Sequence, residues 1–103
     1  MRYFVFLFVL LASNVAQSST EQDKDDAVVC DFEGVVAELV MYSRQEGKNL
    51  SEQIKESPSS KSLILRAYER PRFMTEENKK VAIRDFANEV ILDCYKRREN
   101  DRG

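Results

Sequence analysis

The chain has 103 residues, a net charge of −2, and neither histidine nor tryptophan. Its length allows a single domain. The mild negative charge gives no general attraction to nucleic acid or to anionic lipid. The missing histidine removes the most common general base and metal ligand, and no catalytic or cofactor motif stands in the sequence. Composition therefore predicts a non-enzymatic protein with no cofactor, no metal and no nucleic-acid partner.

The first 18 residues have the pattern of a secretory signal peptide. Arg2 precedes ten uncharged residues, Tyr3–Ala12. Ala16 and Ser18 then place small side chains at the −3 and −1 positions of a cut between Ser18 and Ser19. Ten apolar residues are too few for a membrane span, which needs about 20; the alternative is a buried N-terminal helix. We expect residues 1–18 to be removed, leaving a periplasmic or secreted protein without a stable membrane anchor.

The rest of the chain divides into a leader, a helical domain and a tail. Residues 19–26 (STEQDKDD) are polar and acidic, which predicts a flexible leader. Residues 27–98 carry the apolar periodicity of a folded domain, and the polar residues 99–103 are expected to fray. Without residues 1–18, which contain one basic residue, the net charge becomes −3.

The first predicted helix runs from about Asp26 to Glu46, with Gly47 as its stop signal. It carries two apolar faces. The first is broad and is expected to be buried; it consists of Val28, Val29, Phe32, Val35, Val36, Leu39, Val40 and Tyr42. The second is a strip of mostly small residues, namely Cys30, Gly34, Ala37 and Met41. Small side chains let another helix approach closely, so this strip is expected to pack within the monomer or against a second copy.

Three more helices follow. Asn49 and Glu52 resemble a capping box for a short helix that ends near Glu56. Ser57 and Pro58 predict the start of a third helix, which ends near Glu69 because Pro71 restricts Arg70 to extended conformations. Thr75 is expected to cap a last helix that continues to about Arg98. Its buried face is predicted to contain Ile83, Phe86, Ala87, Val90, Ile91 and Cys94.

The two cysteines are expected to form a disulfide, because export places them in an oxidising compartment. Cys30 lies near the start of the first helix and Cys94 near the end of the last one. A disulfide holds its Cα atoms about 5.5 Å apart, so the two long helices should run antiparallel. The predicted fold class is therefore an all-α bundle of two long and two short helices, stapled by one disulfide and preceded by a signal peptide. If the chain is instead cytosolic, both thiols are free and buried.

One segment concentrates cations and aromatic residues, and it supplies the candidate binding residues Arg66, Arg70, Arg72 and Phe73. Arginine and aromatic side chains are frequent anchors of protein interfaces, and the arginine fork suits carboxylate or phosphate groups. Pro71 would stiffen the turn for a partner. The alternative is a solvated helix end in which Tyr68 and Phe73 simply fill the core.

At a set of matching positions, the chain resembles a group of small exported bacterial and phage-encoded helical proteins. The group shares a cysteine in its first helix, an arginine–glutamine pair near the end of that helix, an "AY..PR" turn and a final "F..E....C" helix. The matching residues here are Cys30, Arg44, Gln45, Ala67, Tyr68, Pro71, Arg72, Phe86, Glu89 and Cys94. The resemblance covers most of the chain after residue 18. It implies a periplasmic or secreted location and brings no established activity.

The functional hypothesis is an exported, non-enzymatic module that binds another protein and is phage-encoded, prophage-encoded or immunity-like. The alternative is a periplasmic acid-stress chaperone. Both comparisons, with immunity proteins and with acid chaperones, rest on architecture alone. A hydrolase is disfavoured by the missing histidine. The sequence leaves the oligomeric state open.

Overall fold

The computed structural model describes the backbone of residues 2–102 and the side chains of residues 22–101. The backbone forms four α-helices: α1 (Arg2–Gln45), α2 (Leu50–Glu56), α3 (Lys61–Tyr68) and α4 (Glu76–Arg102). A 3-10 turn at Pro58–Ser60 leads into α3, and residues 2–102 contain no strand. The predicted all-α class, with two long and two short helices, is confirmed.

The long helices extend further than the sequence predicted. Residues 22–26, expected to belong to a flexible leader, continue α1, and residues 99–101, expected to fray, continue α4. Asp26 accounts for part of this extension, because it is buried and pairs with Arg98 across the two helices. The predicted signal peptide and its cleavage site fall on residues 1–21, whose side chains lie outside the described part of the chain.

The starts of α2 and α4 follow the capping signals in the sequence, whereas Ser57 makes no side-chain capping hydrogen bond at the 3-10 turn. Asn49 Oδ1 accepts hydrogen bonds from the backbone N–H groups of Ser51 and Glu52, at 2.9 and 3.3 Å. Thr75 Oγ1 accepts from the N–H of Asn78 at 3.2 Å. Each bond satisfies a backbone donor that the first helical turn leaves unpaired. The α3–α4 loop, residues 69–75, ends at the Thr75 cap.

Helices α1 and α4 are antiparallel, as predicted from the cysteines. Cys30 and Cys94 form a disulfide with their Cα atoms 5.5 Å apart. The other pairs also show an antiparallel course: among them, as the number of the first residue rises, that of its partner on α4 falls. These pairs are Asp26 with Arg98, Glu33 with Arg97, Gly34 with Ile91, and Glu46, one residue beyond α1, with Lys79.

The prediction of which face of α1 is buried was wrong for most of the broad apolar face. The strip of small residues packs inside the monomer, where Cys30, Ala37 and Met41 are buried. Most of the broad apolar face is exposed, namely Val28, Val29, Phe32, Val35, Leu39 and Tyr42. The approach of α4 is so close that a Cβ atom on Gly34 would lie 2.6 Å from Ile91 Cδ1. The hydrophobic core consists of Ala37, Val40, Met41, Ile64, Ala67, Phe86, Ala87 and Val90.

Within the described part of the chain, no helix is long and apolar enough to cross a membrane.

Candidate functional site

The α3–α4 loop is fixed to the end of α1 by Gln45, whose side chain is 1% exposed. Gln45 Nε2 donates to the carbonyl oxygen of Pro71 at 3.0 Å, and Gln45 Oε1 accepts from the backbone N–H of Phe73 at 2.8 Å. One amide therefore satisfies a donor and an acceptor on the same turn. Because both partners are backbone groups, this contact fixes the course of the loop itself.

Two arginines add to this attachment from opposite sides. Arg44 donates from Nε and Nη2 to the carbonyl oxygen of Arg70, at 3.2 and 3.1 Å, and its guanidinium lies 5.1 Å from the centre of the Tyr68 ring. Arg72 donates from Nε to the carbonyl oxygen of Gln45 at 3.0 Å. Its guanidinium also lies against Gly47, which has a φ of 86°. Glycine suits this left-handed position because a side chain would be strained there.

The structure therefore separates the four candidate binding residues that the sequence singled out. Arg72 lies against the end of α1, and Arg66 pairs with Asp93 at 2.8 Å and with Glu89 at 3.6 Å. Arg70 pairs with Glu89, and both Arg66 and Arg70 lie within 6 Å of the Phe86 ring centre, at 5.8 and 5.9 Å. Only Arg70 and Phe73 line the same concave surface. All three arginines make contacts within the chain that hold α3 and its loop in place.

That concave surface, which we call the loop pocket, lies between the α3–α4 loop and α4 and has a volume of about 210 Å³. Its walls are mainly apolar, with three polar side chains among them. The lining residues are Met41, Arg70, Pro71, Phe73, Asn78, Val81, Ala82, Asp85 and Phe86. Small-molecule sites usually measure about 300–1,000 Å³, so the loop pocket suits one amino-acid side chain better than a whole ligand.

A second, larger groove of about 520 Å³ lies between α1, the start of α3 and α4. Three serines (Ser59, Ser60 and Ser62) share its surface with Phe32 and two arginines. Its two arginines are already paired: Arg66 with Asp93, and Arg97 with Glu33 at 3.0 Å. The groove therefore offers no unpaired arginine to hold an anion, and the loop pocket is the better candidate site.

Tyr68, at the end of α3, makes a further contact beside the loop. Its hydroxyl donates to the carbonyl oxygen of Lys48 at 2.7 Å, which ties α3 to the α1–α2 turn. Burial raises the pKa of this hydroxyl above its ordinary value of 10.0, and the positive charges of Arg44 and Lys48 partly oppose that rise. The neutral, hydrogen-bonding form of Tyr68 is therefore favoured in the folded protein.

One group of possible metal ligands occurs among the described residues, formed by Cys30, Cys94 and the carboxylate of Glu33 within 4.8 Å. The cysteines are joined in a disulfide, whereas a cysteine binds a metal ion as its free thiolate. Glu33 also pairs with Arg97. The arrangement is therefore explained by the disulfide and its neighbouring ion pair.

Sequence reasoning missed the role of Gln45. It appeared only as one member of the arginine–glutamine pair in the family resemblance. Its partners stand 26 and 28 residues away, so no local pattern could show them. The signal that could have found it is the "RQ" pair itself, since a polar residue beside a helix end is well placed to bind loop backbone.

Comparisons with known proteins add no relative: no family model, no curated protein and no solved structure matches the chain.

Proposed function

We propose that this protein is an exported, non-enzymatic protein-binding module, and that it takes an apolar side chain of its partner into the loop pocket. Arg70 and Phe73 are its contact residues. Export, a periplasmic or secreted location and a phage, prophage or immunity-like origin belong to the same proposal. They are supported by the signal-peptide pattern, the family resemblance and the disulfide.

The observation that carries the proposal is an apolar pocket with a rigid wall. The loop that forms this wall is attached to α1 through Gln45, Arg44 and Arg72. A surface that is already in its binding conformation loses little conformational entropy when a partner arrives. Asn78 and Asp85 at the pocket add polar groups that can pair with the partner's backbone or a cationic neighbour.

The experiment is affinity capture from envelope extract, followed by variants of the pocket. Val81→Arg places a charge in the lining of the loop pocket, and Asn88→Arg places the same charge on an exposed position of α4 that does not line it. We expect the wild-type protein and Asn88→Arg to capture one stoichiometric partner that Val81→Arg loses. Absence of any stoichiometric partner, or equal capture by both variants, would refute the proposal.

A periplasmic acid-stress chaperone is the second candidate, and a set of ion pairs favours it. Four carboxylates, those of Asp26, Glu33, Glu89 and Asp93, take part in arginine pairs that link α4 to α1, to α3 and to the α3–α4 loop. Strong acid generally weakens carboxylate–arginine pairs, while the disulfide keeps the two long helices joined. This candidate predicts loosening of α4 and suppression of client aggregation near pH 2–3. An unchanged fold without holding activity at that pH eliminates it.

A further inference from the structure

One face of α1 remains apolar and exposed on the side opposite the disulfide. Five of its residues are between 53% and 69% exposed. They are Val28, Phe32, Val35, Leu39 and Tyr42, and we call them the α1 seam. No other described helix presents an exposed apolar row of this length.

The spacing of the α1 seam is the spacing of a coiled coil. Its residues follow one another at intervals of four, three, four and three, which is the 3.5-residue repeat of a left-handed coiled coil. Phe32 and Leu39 occupy a positions, and Val28, Val35 and Tyr42 occupy d positions. Asp25 and Glu46 occupy the next a positions beyond each end. In a parallel pair each would lie opposite the same acidic residue of the other copy, so the apolar contact ends there. From Val28 to Tyr42 the seam is about 21 Å long, at 1.5 Å per residue.

The charges beside the α1 seam distinguish between the two orientations of a second copy. The g positions are the acidic residues Asp31 and Glu38, and the e positions are the neutral residues Val29, Val36 and Ser43. In an antiparallel pair centred between Phe32 and Val35, each a residue packs against a d residue of the other copy and g faces g, so Asp31 of each copy would lie near Glu38 of the other and repel it. In a parallel pair, g faces e, and these carboxylates lie opposite neutral side chains.

The area and position of the α1 seam also fit a second copy. With about 200 Å² for a large side chain, the exposed parts of the seam amount to roughly 600 Å² per copy. Two copies would bury at most about 1,200 Å², at the lower limit for a specific interface. Helix α4 packs against the opposite side of α1 through the strip of small residues, so α4 does not obstruct an approach along the seam.

We propose that a second copy of this chain occupies the α1 seam and forms a parallel, two-stranded coiled coil in dynamic equilibrium with monomer. The dimer leaves the loop pocket of each copy open, because Met41 and Phe86 in that pocket belong to the buried side of α1 and α4. This proposal is independent of the proposed function, since it concerns a different surface.

Sedimentation equilibrium of the purified, oxidised chain tests the dimer, with the intact mass recorded to define its N-terminus. We expect twice the monomer mass at high concentration. Leu39→Glu should weaken self-association at least tenfold without changing the helix content. Leu92→Glu, which alters an exposed leucine on α4 outside the α1 seam, should leave self-association unchanged. A monomer at all concentrations up to about 1 mM, the weak end of specific binding, or equal effects of both variants, overturns the proposal.

The orientation is tested by Glu38→Lys. In the parallel dimer residue 38 faces Ser43, and we expect less than about a twofold change in the dissociation constant. In an antiparallel dimer the new lysine would pair with Asp31 twice and tighten association about tenfold, which contradicts the parallel arrangement. A monomeric chain that captures a partner through the seam, losing it in Leu39→Glu, also overturns the proposal. That outcome leaves the loop pocket as a separate question.

Discussion

Replacing Gln45 by methionine tests whether the α3–α4 loop depends on one buried amide. Methionine keeps the length of the side chain and removes both polar atoms, so the Pro71 carbonyl and the Phe73 N–H lose their partners. An unpaired buried backbone group costs about 1–3 kcal/mol. Because both groups are only part-buried, we take about 1–1.5 kcal/mol for each and expect a total loss of about 2–3 kcal/mol.

The magnitude is large for a domain of this size. A change of 1 kcal/mol shifts the melting temperature of a 60–100-residue domain by roughly 4–8 °C. Gln45→Met should therefore lower it by on the order of 10–20 °C, measured by circular dichroism on the oxidised protein. The loop pocket should lose its rigid wall at the same time, so partner capture should weaken even at temperatures where the helices remain folded.

Gln53→Met is the matched control, because it makes the same chemical change at another buried glutamine. Gln53 is 7% exposed, and its Oε1 atom is buried without a hydrogen-bond partner among the described residues. Replacing an unsatisfied polar atom by an apolar one is neutral or stabilising by up to about 1 kcal/mol. If the two variants change the melting temperature equally, the hydrogen bonds of Gln45 do not hold the loop and the reasoning is refuted.

Three further outcomes follow from the packing of the long helices and from Tyr68. Reducing the Cys30–Cys94 bond should destabilise the protein by up to about 4 kcal/mol in the chain-entropy model, seen as a lower urea midpoint with reductant; an unchanged midpoint contradicts a stapling role. Gly34→Ala should cost about 1–3 kcal/mol through its clash with Ile91, and adding Ile91→Ala should recover part of that loss, whereas additive losses would exclude the clash. The raised pKa of Tyr68 favours its neutral form in the folded state, so its contribution to stability should be complete below pH 10 and decline as pH rises through the folded-state pKa. Unfolding free energies across that interval should show this decline in the wild type and not in Tyr68→Phe.

Local signals in the sequence were sufficient to predict most of the helix ends and the disulfide. The bonds of Asn49 and Thr75 to nearby N–H groups depend on residues two or three positions away, so the sequence contains the whole motif. The antiparallel arrangement followed from two cysteines at opposite ends of two long helices. In each case the relevant physical constraint was either local or a single covalent bond.

The burial of α1 could not be predicted in the same way, because the helix carries two apolar faces. Hydrophobicity favoured the larger face, with Phe32 and Leu39. The smaller face is the one that packs, because it allows a closer approach of the helices. The disulfide at Cys30 brings α4 close, and Gly34 leaves room for Ile91 where a larger residue would not fit. The larger face was left exposed, with the spacing of a coiled-coil seam. The amount of apolar surface and the ability to approach closely are different quantities, and here they favoured opposite faces.

At the candidate site, the arginines that the sequence suggested for a partner are used within the fold. Three arginines near a proline turn suggested a surface for an acidic partner, yet Arg66 and Arg70 pair with carboxylates on α4, and Arg72 binds the backbone of Gln45. Their positive charge is therefore used within the fold, and what they produce is a fixed loop. A binding surface made in this way should select its partner by shape and apolar contact at the loop pocket. Salt should accordingly weaken partner capture only slightly, whereas a charge at Val81 should abolish it.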